Sequence, residues 1–265
     1  MKLSTLVHSH SPKFLKPLWE RIERSPIAKR IASGAFWSVL GNSVARGLGF
    51  LSSILVARIL GKEAFGEFGL IKSTATTFVA FSAFGMGLTA TKYIAELLSS
   101  DKERVGRIIG LSYLFTFLSS LLVALVFWIV APWLCESVLR SPHLIGMMRL
   151  GAVLLFLMTF CTSQHGVLTG FQDFRGLALS NTVAGITMLP IYVAGAWYWG
   201  LVGAVAGAVI AAGLSTVINS VFIYRNTKRH KIRYRFFQVG REWGVLWLFS
   251  LPVVLCSIMY SVSLW

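Results

Sequence analysis

Arg46 is the residue in this sequence best placed to do chemistry. It stands roughly ten residues into an apolar block, 36–57. That block is long enough to cross a hydrocarbon core of about 30 Å at about 1.5 Å per residue. A guanidinium this deep costs about 2.5–3.5 kcal/mol on insertion scales, so such a residue faces protein or a water-filled cavity. Asn42, Gly49 and Ser53 lie at i−4, i+3 and i+7 from Arg46, which sets a polar, small-residue stripe on one helical face. A stripe of this kind can line a cavity for an anionic ligand. The plainer alternative is a structural arginine paired with carbonyls or a neighbouring helix.

Three further polar residues interrupt apolar blocks. Lys72 lies about one turn in from Phe68, with Thr76 at i+4. It is near enough to the end to snorkel outward, and a place in a cavity is the alternative. Gln164 and His165 fall in the inner half of a later block. A lone histidine there is most simply a packing residue, and proton coupling is its functional alternative because its pKa lies near neutrality. No catalytic set accompanies these groups. The ten acidic residues lie mostly in loops, no Walker sequence or HExxH is present, and the three cysteines have no metal-ligand spacing. The expectation is a protein that is not an enzyme and carries no cofactor or metal.

The elements that hold these residues are apolar helices. The chain is 55% hydrophobic and 13% charged, against about 25% charged in soluble domains. Seven blocks near span length run roughly 36–57, 68–90, 108–131, 149–169, 177–199, 202–224 and 244–264. An all-α, polytopic membrane bundle follows. The net charge of +15 does not point to nucleic acid, because the cations sit in alternate loops. Nineteen of the 25 lysines and arginines fall in the N-terminal tail and the loops after spans two, four and six; four fall on the other side. That bias puts the N-terminus in the cytoplasm. Trp128, Trp133, Trp197, Tyr198, Trp199, Trp243 and Trp247 mark span ends, as interfacial aromatics do. Segment 13–30 reads as an interfacial helix or a solvated tail, and no cleavable signal peptide precedes the first span.

Two spans carry packing signals. Pro190 in span five predicts a kink, with Thr187 able to satisfy the freed carbonyl, and a hinge is a further possibility. Gly203, Gly207 and Ala211 in span six form a small-residue face for close helix contact. Asn219 can join helices near the inner end. Cys161 and Cys256, in spans, and Cys135, in a loop, read as structural.

Three stretches carry a family resemblance: Val56–Leu70, VARILGKEAFGEFGL; Gly87–Glu96, GLTATKYIAE; and Leu168–Arg175, LTGFQDFR. They are similar, in order and spacing, to segments of the O-antigen and oligosaccharide flippases of the multidrug/oligosaccharidyl-lipid/polysaccharide exporter superfamily. Lys62 stands where that family usually has proline. The resemblance implies two six-helix lobes around a central cavity. Residues 1–35 would be a cytoplasmic tail, 36–224 the first lobe, 225–243 a basic cytoplasmic loop, and 244–265 a seventh helix opening a second lobe that is absent. The chain is then expected to be the N-terminal part of a longer protein.

The resemblance also implies a substrate, a polyprenyl-pyrophosphate-linked oligosaccharide, carried across the bacterial inner membrane by alternating access. Arg46 matches a basic position in the first helix of related lipid-carrier flippases; Asn42, Lys72 and Gln164 are secondary cavity candidates. The partners implied are the bilayer, the lipid-linked glycan and a polysaccharide polymerase or other assembly proteins. A drug/cation antiporter is the first alternative, disfavoured because no Asp or Glu lies well inside a span. A non-transporting membrane assembly subunit is the second.

Overall fold

The structure, a computed structural model, describes residues 26–232, all in helices and the short turns between them. Helix α1 is Pro26–Ser82, α2 Met86–Leu97, α3 Lys102–Trp133, α4 Ile145–Gly170 and α5 Phe174–His230. A π turn, Leu134–Val138, and a 3-10 turn, Pro142–Leu144, join α3 to α4. The seventh block and the segment before Pro26 lie outside the described residues.

Helices α1 and α5 each hold 57 residues, about 85 Å at about 1.5 Å per residue. That is nearly three bilayer cores, so neither is one straight span. Each reverses at a single glycine: Gly61 at φ 76°, ψ 179°, and Gly200 at φ 57°, ψ −134°. Glycine is needed there because the missing Cβ admits positive φ without a clash. Pairs placed symmetrically about Gly200 touch: Gly195 with Gly203, Tyr192 with Gly207, Ser180 with Asn219, Asp173 with Asn226. Residues 174–199 (α5a) and 201–230 (α5b) are therefore an antiparallel hairpin. The segments 26–60 (α1a) and 62–82 (α1b) are divided in the same way.

Contacts fix the remaining order. Gly34 meets Phe174, Gly41 meets Ala178, and Gly185 meets Ala45 and Leu48, so α1a runs parallel to α5a. Ile71 meets Gly151 and Gly87 meets Thr162, so α1b and α2 run parallel to α4. Phe78–Phe127 and Phe84–Phe115 set α3 antiparallel to α1b. The described residues thus cross six times in alternating directions, and the chain is a multi-pass membrane protein. Among the described residues four helices are long and apolar enough to span a bilayer, two of them doubled back. The outer surface is correspondingly apolar, with Phe50 68% and Ile129 74% exposed.

Several local expectations are corrected. Span two is not continuous: it breaks between α1 and α2, where Phe84 (φ 42°) and Gly85 (φ 64°) are left-handed. Ser119 Oγ donates to Ser82 O at 3.0 Å, so α3 satisfies a carbonyl that the break frees. Pro190 lies inside α5a without a non-helical residue beside it; the one non-helical residue of α5 is Gly200, which follows α5a. Thr187 Oγ1 donates to the Val183 and Ala184 carbonyls, not to Ile186, whose carbonyl the proline leaves open. Cys135 sits in the π turn and is fully buried rather than in an open loop.

The tightest joints are backbone contacts. A Cβ on Gly166 would overlap the Gly87 backbone, whereas one on Gly47 would meet nothing within 4 Å. Gly166→Ala should cost about 1–3 kcal/mol or more and lower the melting temperature, as overpacking does. Gly47→Ala should be neutral or stabilising by up to about 1 kcal/mol. Thermal denaturation followed by size-exclusion fluorescence would check both.

Candidate functional site

Where α1a, α1b, α4 and the α5 hairpin converge they leave a cavity of about 390 Å³. Its lining includes the polar residues Lys72, His165, Asn181, Asn219, Thr162 and Ser215, together with Tyr192 and Cys161; alanines and methionines make up much of the rest. The cavity exists because small residues face it: Ala45, Ala184, Gly185, Ala208, Ala211 and Ala212 lack the volume to fill the gap.

The cavity is long rather than compact. Leu154 and His165, both on its wall, are about 16 Å apart along α4 at about 1.5 Å per residue. Lys72 lies beside Ile71, which packs on Gly151, so it belongs to the Leu154 end. His165 belongs to the other. The two basic groups cap opposite ends and do not form one proton-exchanging pair. Lys72 does not snorkel outward as its depth suggested; it is half-buried on the cavity wall.

A polar belt crosses the bundle at the His165 end. Asn181 Nδ2 donates to Asn42 Oδ1 at 3.4 Å, tying α5a to α1a. Ser180 Oγ donates to Asn219 Oδ1 at 2.5 Å, and Asn219 Nδ2 reaches Cys161 Sγ at 3.8 Å. Cys161 Sγ lies 3.3 Å from Thr216 Oγ1. Gln164 is fully buried, and its Nε2 donates to Ser220 Oγ at 2.8 Å and Thr216 O at 3.2 Å. It fastens α4 to α5b and is not part of the cavity wall.

Arg46 lies elsewhere. Its neighbour Ala45 lines the cavity, and one residue along a helix is a turn of about 100°. Asn42, Arg46 and Ser53 form an exposed stripe on α1a. Asn42 alone links that stripe to the cavity, through Asn181. The structure therefore gathers Lys72 and His165 into one cavity, sets Asn42 at its edge, and leaves Arg46 and Gln164 outside. Sequence reasoning passed over Asn181, Ser180 and Tyr192. The adjacent pair Ser180–Asn181, two polar residues at the inner end of an apolar block, was the available signal.

No carboxylate lines the cavity. The acidic residues described are Glu63, Glu67, Glu96, Asp101, Glu103, Glu136 and Asp173, all at helix ends or turns. Glu67 is the one joined to a histidine, with Oε1 2.6 Å from His143 Nε2. Among the described residues no group of three His, Cys, Asp or Glu could hold a metal.

Six alternating passes enclosing a cavity whose one fixed charge is a lysine define a class, the polytopic helical membrane bundle. The chain belongs to the family of polysaccharide biosynthesis proteins, whose model matches residues 31–265. The flippase resemblance of its three motifs holds. Among curated relatives it is 23% identical over 212 residues to the stage V sporulation protein B of Bacillus subtilis (strain 168), covering 77% of this chain and 41% of that protein. It is 23% identical over 195 residues to the lipid III flippase of Escherichia coli (strain K12), covering 74% and 47%. The chain thus spans less than half the length of these relatives. Two solved structures share the fold. One is a multidrug resistance MATE family transporter of the MOP superfamily in an outward-facing conformation. It has a TM-score of 0.70 and 19% identity, and the match covers 89% of this chain and 54% of that one. The other is a MOP superfamily transporter from Pyrococcus furiosus, described as having a binding pocket of reversed polarity. It has a TM-score of 0.69 and 17% identity, with the same coverage.

The cavity is testable through its thiol. Cys161 lines it, whereas Cys135 is fully buried in the core. In a Cys256→Ser background, N-ethylmaleimide should alkylate Cys161 about ten-fold faster than Cys135, because access governs thiol modification. Ala212→Phe, which fills the cavity beside Cys161, should protect it. Peptide mass spectrometry over a time course reads both.

Proposed function

We propose that this chain forms the first lobe of a flippase that moves polyprenyl-pyrophosphate-linked oligosaccharide across the bacterial inner membrane. The product would feed assembly of a surface polysaccharide such as O-antigen or exopolysaccharide. Family membership supports the reading, as does a relative named for flipping a lipid-linked precursor. The observation that carries it is the sign of the charge. Within the described spans the ionised groups are Arg46, Lys72 and, at the start of span four, Arg149, and no carboxylate reaches the depth of Arg46 or Lys72. A pyrophosphate crossing an apolar medium needs cations to offset its charge. A cation antiporter needs the opposite.

In this reading Arg46 meets the substrate headgroup. Its exposed stripe on α1a would face a second lobe, and the pair of lobes would enclose the glycan between them. Alternating access would come from one lobe rocking against the other around a midplane site. Lys72 and His165 would act inside the lobe, tuning its internal cavity rather than holding the sugar. A polymerase or other assembly protein would receive the product. The N-terminus would lie in the cytoplasm, with the basic helix ends.

Arg46→Ala in the full-length gene product should reduce surface polysaccharide. Losing a charge-assisted hydrogen bond of about 1.5–3 kcal/mol corresponds to about a ten- to hundred-fold defect in headgroup binding. Arg46→Lys should retain part of the activity. Unchanged polysaccharide in Arg46→Ala cells with normal protein levels would remove Arg46 from the site. Orientation has its own check: an alkaline phosphatase reporter fused after Arg229 should be inactive, and an active fusion would reverse the topology.

A further inference from the structure

At the basic end of the bundle, the start of α5a and the end of α5b enclose a second hollow, of about 710 Å³. Its charged lining is Arg175, Arg225, Lys228 and Arg229, with Asp173 the one carboxylate. Asp173 is already engaged. Its Oδ1 accepts from the Gly176 amide and its Oδ2 from Asn226 Nδ2, both at 2.9 Å, capping α5. None of the four cations forms an ion pair among the described residues. Arg175 stacks over Trp37 at 5.3 Å and Arg225 over Phe222 at 5.9 Å. Stacking occupies the guanidinium faces and leaves the N–H edges open to an acceptor. The field is felt nearby: burial first, then Arg229 and Lys102, push the His230 imidazole below its ordinary pKa, with Asp173 opposing.

The flanking segments are themselves net basic. Residues 1–25 carry Glu20 and Glu23 against five lysines and arginines. Residues 233–265 carry Glu242 against Arg233, Arg235 and Arg241. An anionic ligand would supply the counter-charge that the described lining lacks. An apolar strip leads away from the hollow toward the membrane interior. From Leu179 on its wall, Val183 and Ile186 follow at i+4 and i+7; from Arg225, Val221, Val217 and Leu214 follow at i−4, i−8 and i−11. All five strip residues are among the exposed hydrophobics. A charged head with an apolar tail fits both parts at once.

We infer that this hollow holds the phosphate headgroup of an anionic membrane lipid, with its chains laid along the α5a and α5b strip. The guanidinium edges donate to phosphate oxygens, and Lys228 adds a point charge. The site shares no residue with the transport reading and does not depend on it.

The test uses the purified full-length protein in neutral detergent. The probes are short-chain phosphatidylglycerol, short-chain phosphatidylcholine, farnesyl pyrophosphate and inorganic pyrophosphate, followed by native mass spectrometry. Arg225→Gln/Lys228→Gln/Arg229→Gln should weaken binding of phosphatidylglycerol and farnesyl pyrophosphate about ten-fold, since charge-assisted contacts are lost. Arg58→Gln/Lys62→Gln, at the opposite end, should leave it unchanged. Preference for phosphatidylglycerol identifies the occupant as a bulk phospholipid, and preference for farnesyl pyrophosphate identifies it as a prenyl carrier. Arg225→Gln alone, at an exposed position, should show a smaller loss of about three-fold and keeps the test open should the triple variant misfold. Arg46→Ala should leave phosphatidylglycerol binding at the hollow unchanged and weaken only farnesyl pyrophosphate, the headgroup probe of the transport reading, which separates the two sites. Equal binding by triple variant and wild type would overturn the inference. So would phosphatidylcholine binding as tightly as phosphatidylglycerol, or inorganic pyrophosphate competing as well as either lipid.

Discussion

The bundle depends on backbone touching backbone. Lipid tails are as apolar as leucine, so burying a leucine between spans brings little driving force; packing and interhelical hydrogen bonds must hold the helices together. Both act only at short range. Gly87 on Gly166, Gly195 on Gly203 and Gly41 on Ala178 bring three pairs of segments that close. Short polar side chains can then reach across. Thr91 Oγ1 donates to Gly166 O at 2.9 Å, beside the first of these contacts. Ser180 reaches Asn219 inside the hairpin that Gly195 and Gly203 close. The cavity is the counterpart of the same choice. Small residues that meet a neighbour make a joint, and small residues that meet none leave a space.

The family motifs acquire physical roles in this frame. In Val56–Leu70, Gly61 supplies the positive φ that folds α1 back on itself. Gly87–Glu96 holds α2 on α4, through Gly87 and Thr91. In Leu168–Arg175, Gln172 takes a left-handed turn and Asp173 caps the helix that follows. Lys62 in place of proline is tolerated because the reversal is made by the glycine before it. Each motif is thus a joint between spans, which explains why the motifs announce the fold better than they announce a substrate.

What could be read from the sequence follows from what hydropathy measures. Length and apolarity placed six spans, and the small-residue face of span six was found packed, Gly203 on Gly195 and Gly207 on Ile191. The break at Ala83–Gly85 was invisible because alanine, phenylalanine and glycine are as apolar in a turn as in a helix. Depth was readable, but rotation was not. Ala45 and Arg46 differ by one residue, yet one lines the cavity and the other faces outward. Lys72 was assigned by depth alone and its rotation brings it to the cavity wall. Gln164 drew notice as a polar residue in a span, but buried amides fasten helices as readily as they bind ligands. Asn181 and Asn219 show that the two roles can adjoin, since both line the cavity while bonded to neighbouring spans.

Charge is sorted by depth in a way that packing does not require. Carboxylates stay at the ends of the spans, and two of them cap helices, Asp101 accepting from the Arg104 amide and Asp173 from the Gly176 amide. Cations extend further. From Arg175, beside Asp173 at the start of α5, to the level of Gly185, which packs on Ala45 next to Arg46, is about 15 Å along the axis. No described carboxylate lies between. Across that depth the fixed charges have one sign, and low dielectric surroundings lengthen their reach. An anion entering from the basic end would meet no repulsive group before Arg46, whereas a cation would meet repulsion at both levels. On the described face of the bundle an anion is therefore better accommodated than a cation, in keeping with the headgroup role proposed for Arg46 on α1a.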